Sequence, residues 1–200
     1  MINKDISGCL CGGQPLARRA VLVGAAGAVV GLSVGRAFAA EDALSMAPQI
    51  GDLLVRATGK DKTTPIKVAD VEVNAAYPMQ VWPADPATGL ARDGSAMNIM
   101  MLTAFPADQL SEAVRPLSAD GVLANTMICP HAACEVTDYN AETFIAQCPC
   151  HLSEFNLKEG GALAQGPATR KLPSIGLAVD AEGRLTIASA YDSRVGGDAQ

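Results

Sequence analysis

Six cysteines and two histidines are the feature that most restricts how this 200-residue chain can fold, because all but two of them fall in two short clusters. The first cluster is C-P-H-A-A-C, residues 129–134, and the second is C-P-C-H, residues 148–151. An apolar run precedes each cluster, GVLANTMI before the first and TFIAQ before the second, and each run predicts a β-strand that leads directly into a loop. Two such loops can face each other at one end of a sheet.

The remainder of residues 40–200 is typical of short strands separated by turns, without long helices. MNIMMLTAF (97–105) predicts a buried strand, and LPSIGLAVDAEGRLTIA (172–188) predicts a hairpin that turns at D-A-E-G. The stretch 77–96 contains three prolines and two glycines, which predicts a loop or insertion. Residues 41–60 carry a short helical pattern that is broken at Pro48. We therefore predict a mainly β fold, an antiparallel β-sandwich.

Residues 1–39 have the organisation of an export signal. Arg18 and Arg19 precede the apolar stretch Ala20–Gly35, and the A-x-A site Ala37–Ala39 follows. The arginine pair favours the twin-arginine (Tat) route and a periplasmic destination. We expect cleavage after this segment, so that 1–39 is the signal and 40–200 the functional domain. The alternative is a retained anchor at the inner membrane, although a spanning helix needs roughly 20 apolar residues.

Two further features limit the function. Cys9 and Cys11 lie upstream of the arginine pair and would leave with a cleaved signal. The net charge is −6, so the sequence offers no basic patch for nucleic acid, and we expect no nucleic-acid partner.

The number and type of side chains in the two clusters can be compared with what a zinc site, a disulfide framework and an iron–sulfur centre each require. A structural zinc site takes four ligands, two fewer than the six candidates present. A framework of two disulfides would leave both histidines unexplained. A [2Fe–2S] centre with two thiolates on one iron and two imidazoles on the other can use one cysteine and one histidine from each loop. The two remaining cysteines can then form a disulfide, which would persist in an exported protein.

Residues 129–153 resemble the cluster-binding segment of Rieske iron–sulfur proteins, in the branch that carries a disulfide and the patterns C-T-H-x-G-C and C-P-C-H-x-S. The resemblance implies the Rieske fold, with a cluster-binding subdomain of two loops over about 118–172, and one [2Fe–2S] cluster per chain. It also implies which residues serve the cluster: iron ligands Cys129, His131, Cys148 and His151, and a disulfide between Cys134 and Cys150.

Three more positions follow from the same resemblance. Ser153 falls where a hydroxyl bonds a cluster sulfide, and Phe155 falls where respiratory Rieske proteins place a tyrosine that bonds a ligand sulfur. Pro167, in G-P-A, resembles the proline loop that covers a third side of the cluster. Ala133 and Leu152 stand where the pattern has glycine, at positions that can require unusual backbone angles. Pro130 replaces the usual threonine.

The run CPCHLSEF also resembles the small subunit of arsenite oxidase. We therefore expect one-electron transfer, as the small subunit of an exported oxidoreductase that is not catalytic alone. The expected partners are a larger catalytic subunit and/or a c-type cytochrome. The alternatives are the Rieske subunit of a quinol–cytochrome c reductase, a stand-alone periplasmic electron carrier, and a zinc-stabilised binding module.

Overall fold

The structure is a computed structural model, and it describes residues 42–197. The predicted export signal, including Cys9, Cys11 and the arginine pair, lies outside the described residues. Within 42–197 no helix is both long enough and apolar enough to cross a membrane.

The described chain consists mostly of strands. The strands are β1 Leu53–Arg56, β2 Met79–Ala84, β3 Met100–Ala104, β4 Val122–Thr126, β5 Asp138–Asn140, β6 Ile145–Gln147, β7 Glu154–Asn156, β8 Ala162–Gln165, β9 Ser174–Val179 and β10 Leu185–Tyr191. The helical elements are single 3-10 turns at Val68–Asp70, Ala96–Asn98, Ala107–Gln109 and Arg115–Leu117, together with one short turn at residues 42–45. The prediction of a mainly β, antiparallel fold is confirmed.

The strands form two sheets. The larger sheet closes into a barrel in the order β1-β10-β9-β4-β3-β2, because β1 pairs with β2 on one side and with β10 on the other. The smaller sheet has the order β5-β6-β7-β8 and comes entirely from the chain between β4 and β9. Every named strand pair in both sheets is antiparallel.

β3 and β4 are buried on both faces, which explains why most of their residues are apolar. All five residues of each strand are buried. Successive side chains of a strand point to opposite faces. Met100, Leu102 and Ala104 accordingly enter the barrel core, whereas Met101 enters a second core that also contains Phe155 and the buried cysteines. These two strands therefore join the barrel to the smaller sheet.

Two of the sequence predictions are confirmed only in part. The stretch 77–96 is not wholly a loop, because it contains the barrel strand β2. Its Pro83 is tolerated since pairing with β3 ends at Val81, so the missing N–H removes nothing from that ladder. Residues 41–60 are helical only at 42–45 and then enter β1, where three successive buried residues close the barrel instead of forming one face of a helix.

The predicted hairpin at residues 172–188 is confirmed. β9 pairs with β10, and the turn is closed by the N–H of Gly183, which donates to the carbonyl of Asp180 at 3.0 Å. Gly183 has a φ of +78°, a conformation that glycine adopts without a steric cost.

Candidate metal centre

Both cysteine–histidine clusters begin where a strand ends, as the sequence predicts. β4 ends at Thr126 and reaches Cys129 after two buried residues, and β6 ends directly before Cys148. β4 belongs to the barrel and β6 to the smaller sheet, so each sheet delivers one loop to the same place. We call residues 129–134 the first cluster loop and residues 148–153 the second cluster loop.

The two cluster loops repeat the same backbone geometry. In each loop the N–H of the first residue donates to the carbonyl of the sixth residue, at 2.8 Å in the first loop and 2.9 Å in the second. The N–H of the fifth residue donates to the carbonyl of the first, at 3.0 and 2.9 Å. The fifth residues are Ala133 and Leu152, with φ values of +58° and +61°. The expectation of unusual backbone angles at these positions is confirmed.

Four sulfur atoms meet where the loops face each other. Cys134 and Cys150 form a disulfide that joins the loops, whereas Cys129 and Cys148 are free and buried. The sulfurs of Cys134, Cys148 and Cys150 lie within 4.8 Å of one another. That trio is not a ligand set, because a disulfide-bonded sulfur has no thiolate to offer a metal. Cys148 is therefore the one member of the trio that could bind iron.

The second free thiol, that of Cys129, sits in a setting that suits a metal. Burial raises the pKa of the Cys129 thiol, while the backbone N–H groups of His131 and Ala132 oppose this by donating to the sulfur. The side chain of Cys148 is within hydrogen-bonding reach of it. A buried thiol whose pKa is raised in this way stays protonated near neutral pH unless a cation replaces its proton.

The two histidines meet beside these thiols. The ring centroids of His131 and His151 are 4.7 Å apart, and the rings lie nearly perpendicular at 85°. His131 is half-buried and His151 is exposed, in contrast to the buried thiols. The site therefore offers two thiols towards the protein core and two imidazoles towards solvent.

A third loop, the proline loop Gly166–Ala168, lies against the second cluster loop. The N–H of Ala168 donates to the hydroxyl oxygen of Ser153 at 3.1 Å, and this serine is fully buried. Gly166 has a φ of +100°, and a side-chain carbon built there would lie 2.5 Å from the Cα of Ser153. Glycine is therefore required at this position. Pro167 itself is exposed.

Phe155 is fully buried on β7, where it pairs with Ala146 and Leu163 of the neighbouring strands. It belongs to the same core as Cys129 and Cys148, directly inside the two cluster loops. Its ring supplies packing and no hydrogen-bond donor.

Comparison with known families decides what this arrangement is. The sequence model of the Rieske [2Fe–2S] domain matches residues 103–176, from β3 to β9, and so includes both cluster loops and the proline loop. Residues 103–176 form a Rieske [2Fe–2S] domain. Such a domain transfers single electrons through its cluster, and histidine ligation gives that cluster a higher reduction potential than ligation by cysteine alone.

Relatives of the Rieske domain belong to respiratory complexes. The Rieske iron–sulfur subunit of the cytochrome bc1 complex of Streptomyces lividans is 37% identical over 79 residues, which are 40% of this chain and 46% of the relative. A Haloferax mediterranei protein assigned as the Rieske subunit of a respiratory nitrate reductase is 32% identical over 97 residues, 48% of this chain and 43% of the relative. The chain thus spans less than half the length of each of these relatives.

Solved structures show weaker likeness. The soluble domain of Rieske protein II from Sulfolobus acidocaldarius is 19% identical, with a TM-score of 0.39, over 49% of this chain and 64% of that one. The plasma-membrane Rieske protein PetC3 from Synechocystis is 20% identical, with a TM-score of 0.38, over 60% of this chain and 93% of that one.

The residues present fit a [2Fe–2S] cluster of the Rieske type. Such a cluster needs two thiolates and two imidazoles. The described chain provides two free buried thiols and an adjacent pair of histidine rings at the junction of its two cluster loops. When bound, the cluster supplies the one-electron chemistry, and the chain supplies the donors, the buried setting and the exposed histidine edge.

One feature of the domain is not foreseen by the sequence analysis. A cleft of about 630 Å³ is lined by segments 70–80, 101–104 and 136–139, and no cysteine or histidine is among its lining residues. Further lining residues are Arg56, Thr58, Met127 and Ala146, so the walls come from several distant parts of the chain and no local pattern could have indicated the cleft.

Proposed function

We propose that Cys129 and Cys148 hold one iron of the cluster and that His131 and His151 hold the other. The observation that carries this assignment is the separation of the six cysteine and histidine side chains into three pairs: a disulfide, two free buried thiols, and two rings 4.7 Å apart. The disulfide uses the only other cysteines of the described chain, so the free thiols and the rings are the four donors left for the two irons.

Substitution of single donors tests the assignment. We expect Cys129→Ser and His151→Ala to abolish the electron paramagnetic resonance (EPR) signal of the reduced Rieske cluster and to lower the iron content. The control is Cys134→Ser/Cys150→Ser, which removes two cysteines from the same loops. Freshly purified under anaerobic conditions, the control should keep the signal. Iron retained by Cys129→Ser but lost from the double variant would contradict the assignment.

We propose further that the chain is the electron-transfer subunit of an exported oxidoreductase, resembling the small subunit of arsenite oxidase. Phe155 supports this, because its buried ring has no hydroxyl to donate to a ligand sulfur. Hydrogen bonds to cluster or ligand sulfurs stabilise the more negative reduced state and raise the potential. We therefore infer a potential below that of respiratory Rieske proteins, which suits a partner that does not oxidise quinol.

The surface around the histidines is the contact that such a partner would use. Within the two cluster loops the exposed residues besides His151 are uncharged, and Leu152 is the largest of them at 58% exposure. An exposed apolar side chain beside an exposed ligand favours close contact with an apolar patch on the partner. Co-purification tests the proposal: a tagged chain expressed in its source should carry a larger catalytic subunit or a c-type cytochrome.

A second candidate is the Rieske subunit of a quinol–cytochrome c reductase. The relatives from bc1 complexes favour it. It requires a retained N-terminal anchor, whereas the exported-subunit proposal places the cleaved chain in the periplasm. Fractionation separates the two: chain that stays with washed membranes and starts at its first residues supports the bc1-type subunit, and periplasmic chain that starts near Ala40 supports the exported subunit.

A further inference from the structure

The chain continues past β10 as a segment without regular structure, Asp192–Gly197, which we call the C-terminal strap. Asp192 fixes the start of the strap to the start of β9. Its N–H donates to the carbonyl of Ser174 at 3.0 Å, and its carboxylate accepts from the N–H of Ser174 at 3.1 Å. The same carboxylate pairs with the ammonium group of Lys171 at 2.6 Å.

The far end of the strap is held by a second cation. The guanidinium of Arg170 donates to the carbonyl of Gly196 at 2.7 Å. Gly196 is buried and has a φ of +104°, a conformation that favours glycine. Arg170 and Lys171 come shortly after the proline loop Gly166–Ala168. The strap is therefore attached to the segment that directly follows that loop.

The last described residue of the strap touches the first cluster loop. A methyl group built on Gly197 would lie 3.0 Å from the carbonyl oxygen of His131, from the Cα of Ala132 and from the backbone nitrogen of Ala133. Such distances are tighter than ordinary van der Waals contact. A side chain at this position would force the strap or this backbone to shift by a few tenths of an ångström.

The strap completes a set of links among the three loops of the site. The disulfide joins the first and second cluster loops. The hydrogen bond from the N–H of Ala168 to Ser153 joins the second cluster loop to the proline loop. We infer that the C-terminal strap is the third link, between the proline loop and the first cluster loop, and that Gly197 is a positioning residue for His131.

The first cluster loop needs this external support for a local reason. It carries Ala133 in the left-handed region, which is unfavourable for a residue other than glycine and favours relaxation of the loop. The strap covers the peptide groups on either side of that strain, from the carbonyl of His131 to the nitrogen of Ala133. It thereby restricts the loop and keeps water from the backbone next to the proposed histidine ligand.

Gly197→Val in the full-length holoprotein tests the inference. We expect iron to be lost to a strong chelator several-fold faster than from the wild type. The reason is that the first cluster loop, which holds two proposed donors, loses its close contact with the strap. We also expect the reduction potential to rise, since water reaching the loop stabilises the more negative reduced state. Amide hydrogen exchange of residues 129–136 should become faster. Gly197→Ala should show the same effects to a smaller degree.

Gly183→Ala is the matched control. Gly183 also lies in a turn, its φ is +78°, and a side chain built there meets nothing within 4 Å. This variant should lower the unfolding temperature without changing the potential or the rate of iron loss. If Gly197→Val behaved like this control, with reduced stability but an unchanged potential and unchanged iron loss, the strap would be merely structural and the inference would be overturned.

This inference rests on the proposed assignment of His131 as a ligand, and the two can fail separately. If the wild-type protein lacks a Rieske EPR signal, or if His131→Ala retains it, the ligand assignment fails. If the wild type has the signal and His131→Ala loses it, but the Gly197 variants match the wild type in all three measurements, the strap inference alone fails.

Discussion

Ala133 and Leu152 take a backbone conformation that residues other than glycine adopt rarely. They occupy equivalent places in the two cluster loops, where the N–H of each closes a turn onto the carbonyl of the leading cysteine. This turn brings the chain back towards the leading cysteine. The left-handed backbone conformation is therefore required by the shape of the loop and not by the side chain of the residue that adopts it. The backbone strain at these two residues thus lies beside the proposed iron ligands.

Replacement of one of these residues by glycine should relieve the strain. For Ala133→Gly we expect a gain of about 0.5 kcal/mol in the free energy of unfolding, because relief of roughly 1–2 kcal/mol exceeds the entropy cost of glycine. Urea-induced unfolding of the holoprotein measures it. Ala146→Gly, the same change inside the buried strand β6, should be destabilising. A loss of stability in both variants would show that Ala133 is not strained.

Phe155 is the residue whose chemistry can be changed with the least disturbance. Phe155→Tyr adds a hydroxyl inside the core that contains Cys129 and Cys148. One hydrogen bond that favours the reduced state by about 1 kcal/mol raises a one-electron potential by roughly 40 mV. Voltammetry of the purified protein measures the shift.

The control for this prediction is Phe144→Tyr, which adds the same hydroxyl to a ring that stacks edge-on against Phe105 and lies under Lys158. It should leave the potential near the wild-type value. An unchanged potential in Phe155→Tyr would mean that position 155 does not face a ligand sulfur.

At the scale of elements, the site is made where two sheets each contribute a loop. β4 of the barrel delivers the first cluster loop, and β6 of the smaller sheet delivers the second. No backbone ladder joins these two sheets, so the disulfide is a covalent link between elements that otherwise meet through side-chain packing and loop contacts. It stabilises the relative position of the loops more than either loop by itself.

Loss of the disulfide should therefore lower the free energy of unfolding even if iron is retained. Cys134 and Cys150 are 16 residues apart, and closing a loop of that size stabilises a protein by about 3 kcal/mol. We expect Cys134→Ser/Cys150→Ser to unfold at a correspondingly lower urea concentration. Wild-type protein treated with dithiothreitol is the control and should show a similar loss. Equal midpoints for the double variant and the oxidised wild type would contradict the prediction.

Elements buried on two faces were easier to predict from the sequence than those buried on one. The runs that became β3 and β4 are mostly apolar, because their odd and even positions enter different cores. Thr103, Asn125 and Thr126 are the buried polar exceptions. β2 was missed since its sequence, M-Q-V-W-P-A, contains a proline and lies in a stretch rich in turn residues. Its strand conformation depends on pairing with β1 and β3, which the sequence alone does not reveal.

At the scale of the whole domain, one buried ion pair holds distant segments together. Arg92 makes two hydrogen bonds with the carboxylate of Asp52, at 2.7 and 2.8 Å, and the pair is almost fully buried. The hydrogen bond with Asp52 raises the pKa of Arg92, so the guanidinium stays charged. Arg92 also donates to the carbonyl of Ala43, which ties the start of the described chain to the connection between β2 and β3.

Removal of one partner should leave a buried charge unpaired. We expect Arg92→Met to reduce the free energy of unfolding by about 3–5 kcal/mol, and Asp52→Asn/Arg92→Met to recover part of the loss. Urea-induced unfolding measures both. Arg184→Met is the control, because the ion pair of Arg184 with Asp180 lies at the surface. Its loss should reduce the free energy of unfolding much less than the loss of the Arg92 pair. Equal effects of the two arginine substitutions would show that the Arg92 pair is not held in the interior.

The chemistry of the site can be read from the amino-acid sequence. Two clusters with one histidine each, both placed directly after strands, define a set of donors that suits one kind of iron–sulfur centre, because each metal centre accepts few donor types and numbers. The mainly β character followed from short apolar runs between turns. Both are local properties, readable from neighbouring residues.

Which donors are free, and which contacts support them, depends on the folded arrangement of the chain. It placed Cys134 against Cys150, buried Cys129 and Cys148, closed the larger sheet into a barrel, and laid Gly197 on the first cluster loop. These contacts join residues far apart in the chain. They arise because burying apolar strands on two faces brings the ends of separate sheets together, and that juxtaposition is a property of the packed fold.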